Sequence, residues 1–299
     1  MDHNQETQVR FMDGRFRMSG IRQTDKVTRY SDRPVFSAVI LLLILSGCLF
    51  CGLVMTKDPA YLDLEHANMA PCREFLFGTD TMGRDMFSMI WYGGRISLGI
   101  GLTASCLSAA VAVLYGTLSA SAPAWLDAMM MRVAEILYSV PGMLFAILLQ
   151  GVLGTADVVS IAFVIGITGW MSMAKIVRTQ VCQIQNQEYI LAARCMGGSF
   201  FYVIVKHLLP NLLPSILYMA VMNIRSAIAA EAALSFMGMG LPIETVSWGS
   251  MLSLSEKALL GSSWWVVVFP GVFLTVTLVC ITNLGNYVRK RGERRERML

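Results

Sequence analysis

Seven cysteines, three histidines and 21 methionines are the residues of this 299-residue chain that could bind a metal or carry redox chemistry. Cys48 and Cys51 form a CxxC pair inside an apolar run, without a histidine or further cysteine close by. Such a pair is typical of small side chains packed in a membrane helix, and metal or redox chemistry is the alternative. His3, His66 and His207 fall in different predicted segments, and the methionines are scattered. We therefore predict no metal site and no catalytic residue.

Two charged residues, Arg225 and Glu231, lie inside a long apolar segment. A central arginine costs about 2.5–3.5 kcal/mol on membrane-insertion scales, so such groups usually face a cavity or a partner. We expect both residues to border a translocation path; the alternative is that Glu231 lies near the outer end and both are hydrated. Their spacing of six residues puts them on different helix faces, which argues against an ion pair between them.

A polar segment at residues 187–211 separates two apolar runs. Asn186 can cap a short helix at its start, and Glu188 lies in the first turn, where the helix dipole favours a negative charge. Gly197-Gly198 can supply a left-handed stop. The first half of the segment therefore predicts a short helix that ends at a glycine corner.

The second half of this segment predicts another short helix, which Ser199 can cap and which ends where Pro210 prevents an ordinary continuation. Ala192 and Ala193 in the first helix form a small-residue patch that another protein can approach closely. On these features alone, the alternative is an ordinary connecting loop.

The composition indicates a membrane protein, because 55% of the residues are hydrophobic and only 15% are charged. Basic residues are concentrated at both ends, with seven Lys/Arg before Pro34 and six after Val288. Basic ends can bind nucleic acid, but beside membrane spans the positive-inside rule explains them, so no nucleic-acid partner is expected. The first apolar run begins too late for an ordinary cleaved signal peptide.

Six apolar segments are long enough to approach or exceed the roughly 20 residues that cross a bilayer. We therefore predict an all-α membrane protein with six transmembrane helices, both termini inside and the segment at 187–210 on the same side. The domains are a cytoplasmic tail at 1–34, the transmembrane domain at 35–287 and a basic cytoplasmic tail at 288–299. The predicted spans are residues 35–55, 96–124, 136–156, 158–174, 208–240 and 258–288.

Small residues recur every four positions in the second span, which predicts a helix–helix interface, either within this chain or with a partner subunit. Pro141 should kink the third span, as a gating bend or simply for packing. The small residues are Ala104, Ser108, Ala112, Gly116 and Ala120.

The loop before the second span should lead through a glycine-punctuated turn into a short interfacial helix. Asp80 is a candidate cap, and Arg84 and Arg95 are free to extend toward lipid headgroups. Six acids and three bases lie between Thr56 and Trp91, which suits an outer loop.

The segment at 187–211 resembles the cytoplasmic EAA motif of permease subunits in binding-protein-dependent ABC importers. Ala192-Ala193, Gly197 and Leu209-Pro210 keep the motif's spacing, while Leu191 and His207 replace its glutamate and isoleucine. Glu188-Tyr189 and the run from His207 to Asn211 match the form of this motif in the peptide/nickel branch of the family. The resemblance therefore identifies Glu188, Ala192, Ala193, Gly197 and Pro210 as residues that couple the chain to an ATPase.

Two further stretches resemble the second permease of dipeptide, oligopeptide and nickel importers. Residues 77–98 match its Gly-Thr-Asp-x-x-Gly-Arg-Asp and Gly-x-Arg-x-Ser-Leu patterns, and residues 231–252 match its fifth span and outer loop. The arginine-rich tail after Asn286 departs from the family pattern. Together the resemblances cover residues 35–287.

The resemblance implies an ATP-driven importer in a bacterial cytoplasmic membrane. Its other parts would be a second homologous permease subunit, cytoplasmic ABC ATPases that bind ATP and Mg²⁺, and an extracytoplasmic solute-binding protein. The chain has no glycine-rich phosphate loop ending in Gly-Lys-Ser/Thr, so we expect it to bind no cofactor itself. Peptides, nickel or a nickel chelate remain open as cargo.

A self-contained secondary transporter is the competing function, and it predicts inverted repeats with broken helices at corresponding places. No convincing internal repeat is visible in the sequence. An intramembrane enzyme is a third class, which the lack of a nucleophile–base or metal-ligand arrangement disfavours.

Overall fold

The computed structural model describes residues 34–154, 156–188, 190, 195–196, 206, 208–242, 244–254 and 263–296, of which Leu209 and 291–296 are described through their backbone alone. Within these residues the regular structure is helical, apart from one isolated bridge between Thr79 and Asp85. A short 3₁₀ turn lies at Leu64–His66. The α-helices are α1 (Val35–Leu49), α2 (Cys51–Val54), α3 (Met86–Ser121), α4 (Ala124–Ser139), α5 (Gly142–Leu153), α6 (Val158–Gln185), α7 (Leu209–Phe236), α8 (Trp248–Ser253) and α9 (Trp265–Glu296).

Among the described residues, four helices are long and apolar enough to cross a membrane, namely α3, α6, α7 and α9, and the pair α4 and α5 makes a fifth if it counts as one bent span. Helix α1 is apolar but has only 15 residues, and it continues after Phe50 as α2. Helix α3 starts ten residues before the predicted span, and α6 continues beyond the predicted end at residue 174. The all-α class is confirmed, and four or five spans follow from these lengths.

Helices α3 and α6 run side by side in the same direction. The Ser108 hydroxyl donates to the Gly166 carbonyl at 2.7 Å, and the Gln185 amide donates to the Ser121 hydroxyl at 3.1 Å near the end of both helices. Helix α7 runs the opposite way, since Ser97 bonds Glu231 at 3.0 Å, whereas Ser105, further along α3, bonds the earlier Ala220 carbonyl at 2.8 Å. These three helices form the centre of the fold.

The small residues of α3 lie in this interface, as their spacing predicted. Ala104, Ser108, Ala112 and Gly116 are buried. A Cβ at Gly116 would lie 2.7 Å from the Ala174 carbonyl oxygen. The stripe therefore packs within this chain, against α6, because the absence of side-chain bulk lets the two backbones approach closely.

The predicted span at 136–156 is broken rather than simply kinked. Helix α4 ends at Ser139 and α5 starts at Gly142, with an angle of 88° between the two helices. Pro141 is the N-cap of α5, and its ψ of 121° is not helical. A proline removes a helical hydrogen bond and clashes with the preceding turn, which explains why the helix stops here.

The loop at residues 55–85 is held by a buried ion pair. The Arg84 Nε atom donates to the Asp80 carboxylate at 2.8 Å, and both side chains are buried. The other carboxylate oxygen of Asp80 accepts the backbone N–H groups of Met82 and Arg84. Arg84 is therefore not free to reach headgroups, whereas Arg95 is exposed.

The predicted cap at Asp80 is wrong, because Asp85 caps α3 by accepting the Ser88 N–H at 3.0 Å. The expected interfacial helix is continuous with the long helix α3. The loop is also fastened to α9: the Trp265 indole N–H donates to the Thr79 carbonyl at 3.0 Å. The turn into α3 is therefore a fixed structure.

Candidate coupling and translocation sites

The structure describes residues at both ends of the coupling segment. Asn186 is the C-cap of α6 rather than the cap of a new helix, and Glu188 follows it in a helical, exposed position. Pro210 is exposed in the first turn of α7, where its missing N–H loses no helical bond. Ala192, Ala193 and Gly197 lie outside the described residues.

Ion pairs join α4 to α6 at the end of the bundle that leads into the coupling segment. Arg178 binds Asp127 through Nε at 3.0 Å and through a second, parallel contact. The Ser119 hydroxyl of α3 donates to the same carboxylate. Lys175 and Glu135 make a second bridge of 3.4 Å. One carboxylate on α4 thus connects three helices.

Amide side chains extend these contacts toward the coupling segment. The Gln180 amide donates to the Ser215 hydroxyl on α7 at 2.7 Å. Gln185, the last residue of α6, bonds Ser121 at the end of α3. These two contacts join the C-terminal half of α6 to α7 and to the end of α3.

Sequence reasoning missed Asp127, Ser119 and Glu135. Asp127 lies in the first turn of α4, where an acid is ordinary on helix-dipole grounds. Its partner Arg178 is 51 residues away in the chain. The signal that could have found it is the pair of basic residues, Lys175 and Arg178, in the last turns of an apolar helix.

Arg225 and Glu231 occupy different environments on α7. Arg225 is partly buried, and its Nε atom is buried without a hydrogen-bond partner in the described part of the chain. Glu231 is fully buried, and its carboxylate accepts three serine hydroxyls. They form no ion pair with each other among the described residues, so each must be considered separately.

The cysteines Cys48 and Cys51 are both free and buried at the junction of α1 and α2. Among the residues described, no group of three or more His, Cys, Asp or Glu side chains is arranged to hold a metal ion. His66 lies beside Asp63, with 2.7 Å between Nδ1 and the carboxylate. Cys48, Cys51 and His66 therefore belong neither to the coupling segment nor to the surroundings of Glu231.

Comparisons with a family model and with individual proteins point to the same group of proteins. Residues 112–294 match the family model described as "Binding-protein-dependent transport system inner membrane component". The chain is 38% identical to the dipeptide transport system permease protein DppC of Bacillus subtilis (strain 168), over 75% of this chain and 69% of that protein. It is 37% identical to the oligopeptide permease protein OppC of the same organism, over 84% and 82% of the two chains.

A putative peptide permease of Brucella suis biovar 1 is 32% identical over 85% of this chain and 84% of its own length. Among solved structures, the MetNI methionine ABC transporter in an inward-facing conformation matches with a TM-score of 0.58 and 17% identity. That match covers 69% of this chain and 97% of the MetNI chain. At that identity, the structural match speaks for the fold alone.

Proposed function

Because the chain belongs to the family of inner membrane components of binding-protein-dependent transport systems, we propose that it forms half of the translocation path of an ATP-driven peptide importer. The observation that carries this proposal is that the family match extends from α3 across α6, the coupling segment and α7 to residue 294 in α9. The chain is a multi-pass permease of the bacterial inner membrane. The rest of the machine is supplied by other subunits.

Six crossings are the arrangement that we propose, with α1, α3, the bent pair α4–α5, α6, α7 and α9 as the spans. Near the start of α1, Ser37 accepts a hydrogen bond of 3.0 Å from Asn283, in the second half of α9. The start of the first helix therefore contacts the second half of the last helix. This contact and the basic ends support placing both tails in the cytoplasm, with 1–34 and 288–299 as their extents.

The coupling segment transmits the work of the ATPase in this proposal. Glu188, Ala192, Ala193, Gly197 and Pro210 would form the surface that enters a groove on a cytoplasmic ATPase subunit, which binds ATP and Mg²⁺. The contacts of Gln185 with Ser121 and of Asp127 with Arg178 support this role, because they connect the segment's start to three helices. ATP and a loaded binding protein can shift the equilibrium only if each prefers one conformation.

The path itself would lie along the less buried face of α7. Arg225 is the residue that we propose to border it, because its buried Nε atom has no hydrogen-bond partner among the described residues. Glu231 would lie beside the path, behind this face. A second homologous permease would supply the other wall, and normal transport by a well-expressed Arg225→Ala variant would eliminate the role of Arg225.

The test is purification of the tagged chain in mild detergent, followed by reconstitution with its binding protein. We expect ATPase subunits and a second permease in stoichiometric amounts, and ATP-dependent uptake of di- or oligopeptides. Nickel and a nickel chelate should be tested in the same assay as alternative cargo. Proton- or sodium-driven uptake by the purified chain alone would contradict the proposal.

A further inference from the structure

The carboxylate of Glu231 is buried in a ring of serine hydroxyls from three parts of the chain. Ser97 on α3 donates to one carboxylate oxygen at 3.0 Å. Ser235 on α7 and Ser247 before α8 donate to the other oxygen at 3.0 and 2.7 Å. Glu231, Ser97 and Ser247 are completely buried. Because both oxygens act as acceptors, the carboxylate is well matched to these three donors.

Two of these hydroxyls also accept backbone N–H groups from the start of α8. The Trp248 N–H donates to Ser97 Oγ at 3.1 Å, and the Ser250 N–H donates to Ser247 Oγ at 2.9 Å. Each hydroxyl therefore accepts a hydrogen bond from the α8 backbone and donates its own proton to Glu231. Loss of the carboxylate would leave both serine protons without their buried acceptor.

Close packing holds α8 in the same position. Gly249 of α8 lies against α7, where a Cβ would be 2.7 Å from Ala232 Cα and 2.8 Å from a carboxylate oxygen of Glu231. The Trp248 ring is fully buried beside Gly94 of α3, and its indole N–H donates to the Ile90 carbonyl at 2.9 Å. Helix α8 is thus seated between α3 and α7.

We propose that Glu231 is a positioning residue that holds α8 against α3 and α7, so that these three helices move together when the importer changes conformation. A single buried carboxylate is an expensive group in an apolar bundle, and its three hydroxyl donors are what stabilise it there. Cargo cannot reach it in this arrangement because its side chain is enclosed. The role of Glu231 is therefore to keep α8 in place.

The experiment measures how readily α8 separates from the bundle. A Met251→Cys variant places a thiol at a buried position of α8, and alkylation of this introduced thiol is followed by peptide-resolved mass spectrometry on the assembled complex in nanodiscs. Glu231→Ala should increase the alkylation rate about tenfold, and Ser97→Ala or Ser247→Ala a few-fold. Glu231→Gln should be intermediate, because the amide keeps one oxygen acceptor and replaces the other with a donor.

The matched control is Ser226→Ala, which removes an exposed hydroxyl of α7 that donates to the Met222 carbonyl of its own helix. It should leave the alkylation rate unchanged. Wild-type rates in both Ser97→Ala and Ser247→Ala would overturn the proposal. Lost transport with an unchanged rate in Glu231→Ala would also overturn it and would indicate that Glu231 acts on the cargo.

A second readout connects α8 to transport and rests on the proposed function. In Glu231→Gln, the ratio of ATPase activity with and without loaded binding protein should fall, because a loosened α8 no longer follows α3 and α7. The alkylation experiment uses neither cargo nor ATP. Its result therefore stands even if the importer proposal fails, and an unchanged ATPase ratio with faster alkylation would overturn the concerted movement and restrict the role of Glu231 to local packing.

Discussion

Arg178 on α6 and Asp127 on α4 form a two-point ion pair across 51 residues of sequence. Ser119 of α3 donates to the same carboxylate, so the pair joins three helices at the end that leads into the coupling segment. A planar guanidinium that meets a carboxylate through two hydrogen bonds fixes both distance and orientation. The bend between α4 and α5 lies just beyond the helix that this pair holds.

Breaking this pair should destabilise the protein and weaken coupling. Asp127→Asn should lower the free energy of unfolding by about 1–2 kcal/mol, a range that allows for the partial exposure of both groups. The measurement is the thermal midpoint of the complex in detergent, together with the ratio of transport to ATP hydrolysis. Arg132→Ala is the control, because its 3.3 Å contact with Glu135 is exposed. Equal effects of both variants would contradict a special role for Asp127.

The interface between α3 and α6 should not tolerate a larger residue at Gly116. A Cβ there would lie 2.7 Å from the Ala174 oxygen and 2.9 Å from Val177 Cβ. Gly116→Leu should therefore cost about 1–3 kcal/mol of stability, the usual range for overpacking. Gly99 lies on the same helix, and a Cβ there would have no neighbour within 4 Å in the part of the chain that the structure describes.

Gly99→Leu should accordingly leave the thermal midpoint near that of the wild type. Both variants can be compared by fluorescence-detected size-exclusion chromatography after heating. A Gly116→Leu variant as stable as Gly99→Leu would show that the helices can separate without loss, contrary to the close packing of their backbones.

Changes in the coupling segment should separate ATP hydrolysis from transport. Ala193→Asp and Gly197→Trp alter the surface that we propose to enter the ATPase groove, so peptide uptake should fall about tenfold or more while membrane insertion is preserved. The measurement compares uptake, ATPase activity and the amount of assembled complex in the same vesicles. Gly151→Trp, at an exposed site of α5 with open space around it, controls for added bulk. Normal uptake by both segment variants would remove this segment from the coupling mechanism.

The start of α6 should show a defined pH dependence. Hydrogen bonds from the Ser160 hydroxyl and backbone N–H hold the pKa of Asp157 below its ordinary value. A lowered pKa in the folded state means that this cap stabilises the protein above the unfolded-state pKa and loses its effect as pH falls through the folded-state value.

The difference in thermal midpoint between the wild type and Asp157→Ala should therefore be larger at neutral pH than near pH 3, which is acidic enough to begin protonating an aspartate. Thermal scans of both proteins across this range test it. A difference that is constant with pH, or that grows on acidification, would show that the charge of Asp157 does not stabilise the cap.

Local patterns predicted the features that depend on local chemistry. The four-residue spacing of small side chains located the α3 interface, because spacing alone decides which face of a helix is smooth. Pro141 located the break between α4 and α5 but not its angle, which depends on how each half packs. The family resemblance of the coupling segment was recognisable from its spacing, and most of the two short helices predicted there lies outside the described residues.

Features that depend on distant partners were not predictable. Glu231 was expected to border a translocation path or to be hydrated. Its carboxylate instead accepts the hydroxyl of Ser97, which lies 134 residues earlier in the chain. Arg84 looked free because a sequence does not show that the Asp80 loop folds back around it. In both cases the missing information is the tertiary contact that changes the environment of a charge.

The attachment of the 55–85 loop to α9 has a mechanical consequence. Thr79 accepts the indole of Trp265, and Phe77 stacks on Phe269 with 4.2 Å between ring centres. A partner that displaces this loop would therefore have to displace the first turns of α9 as well.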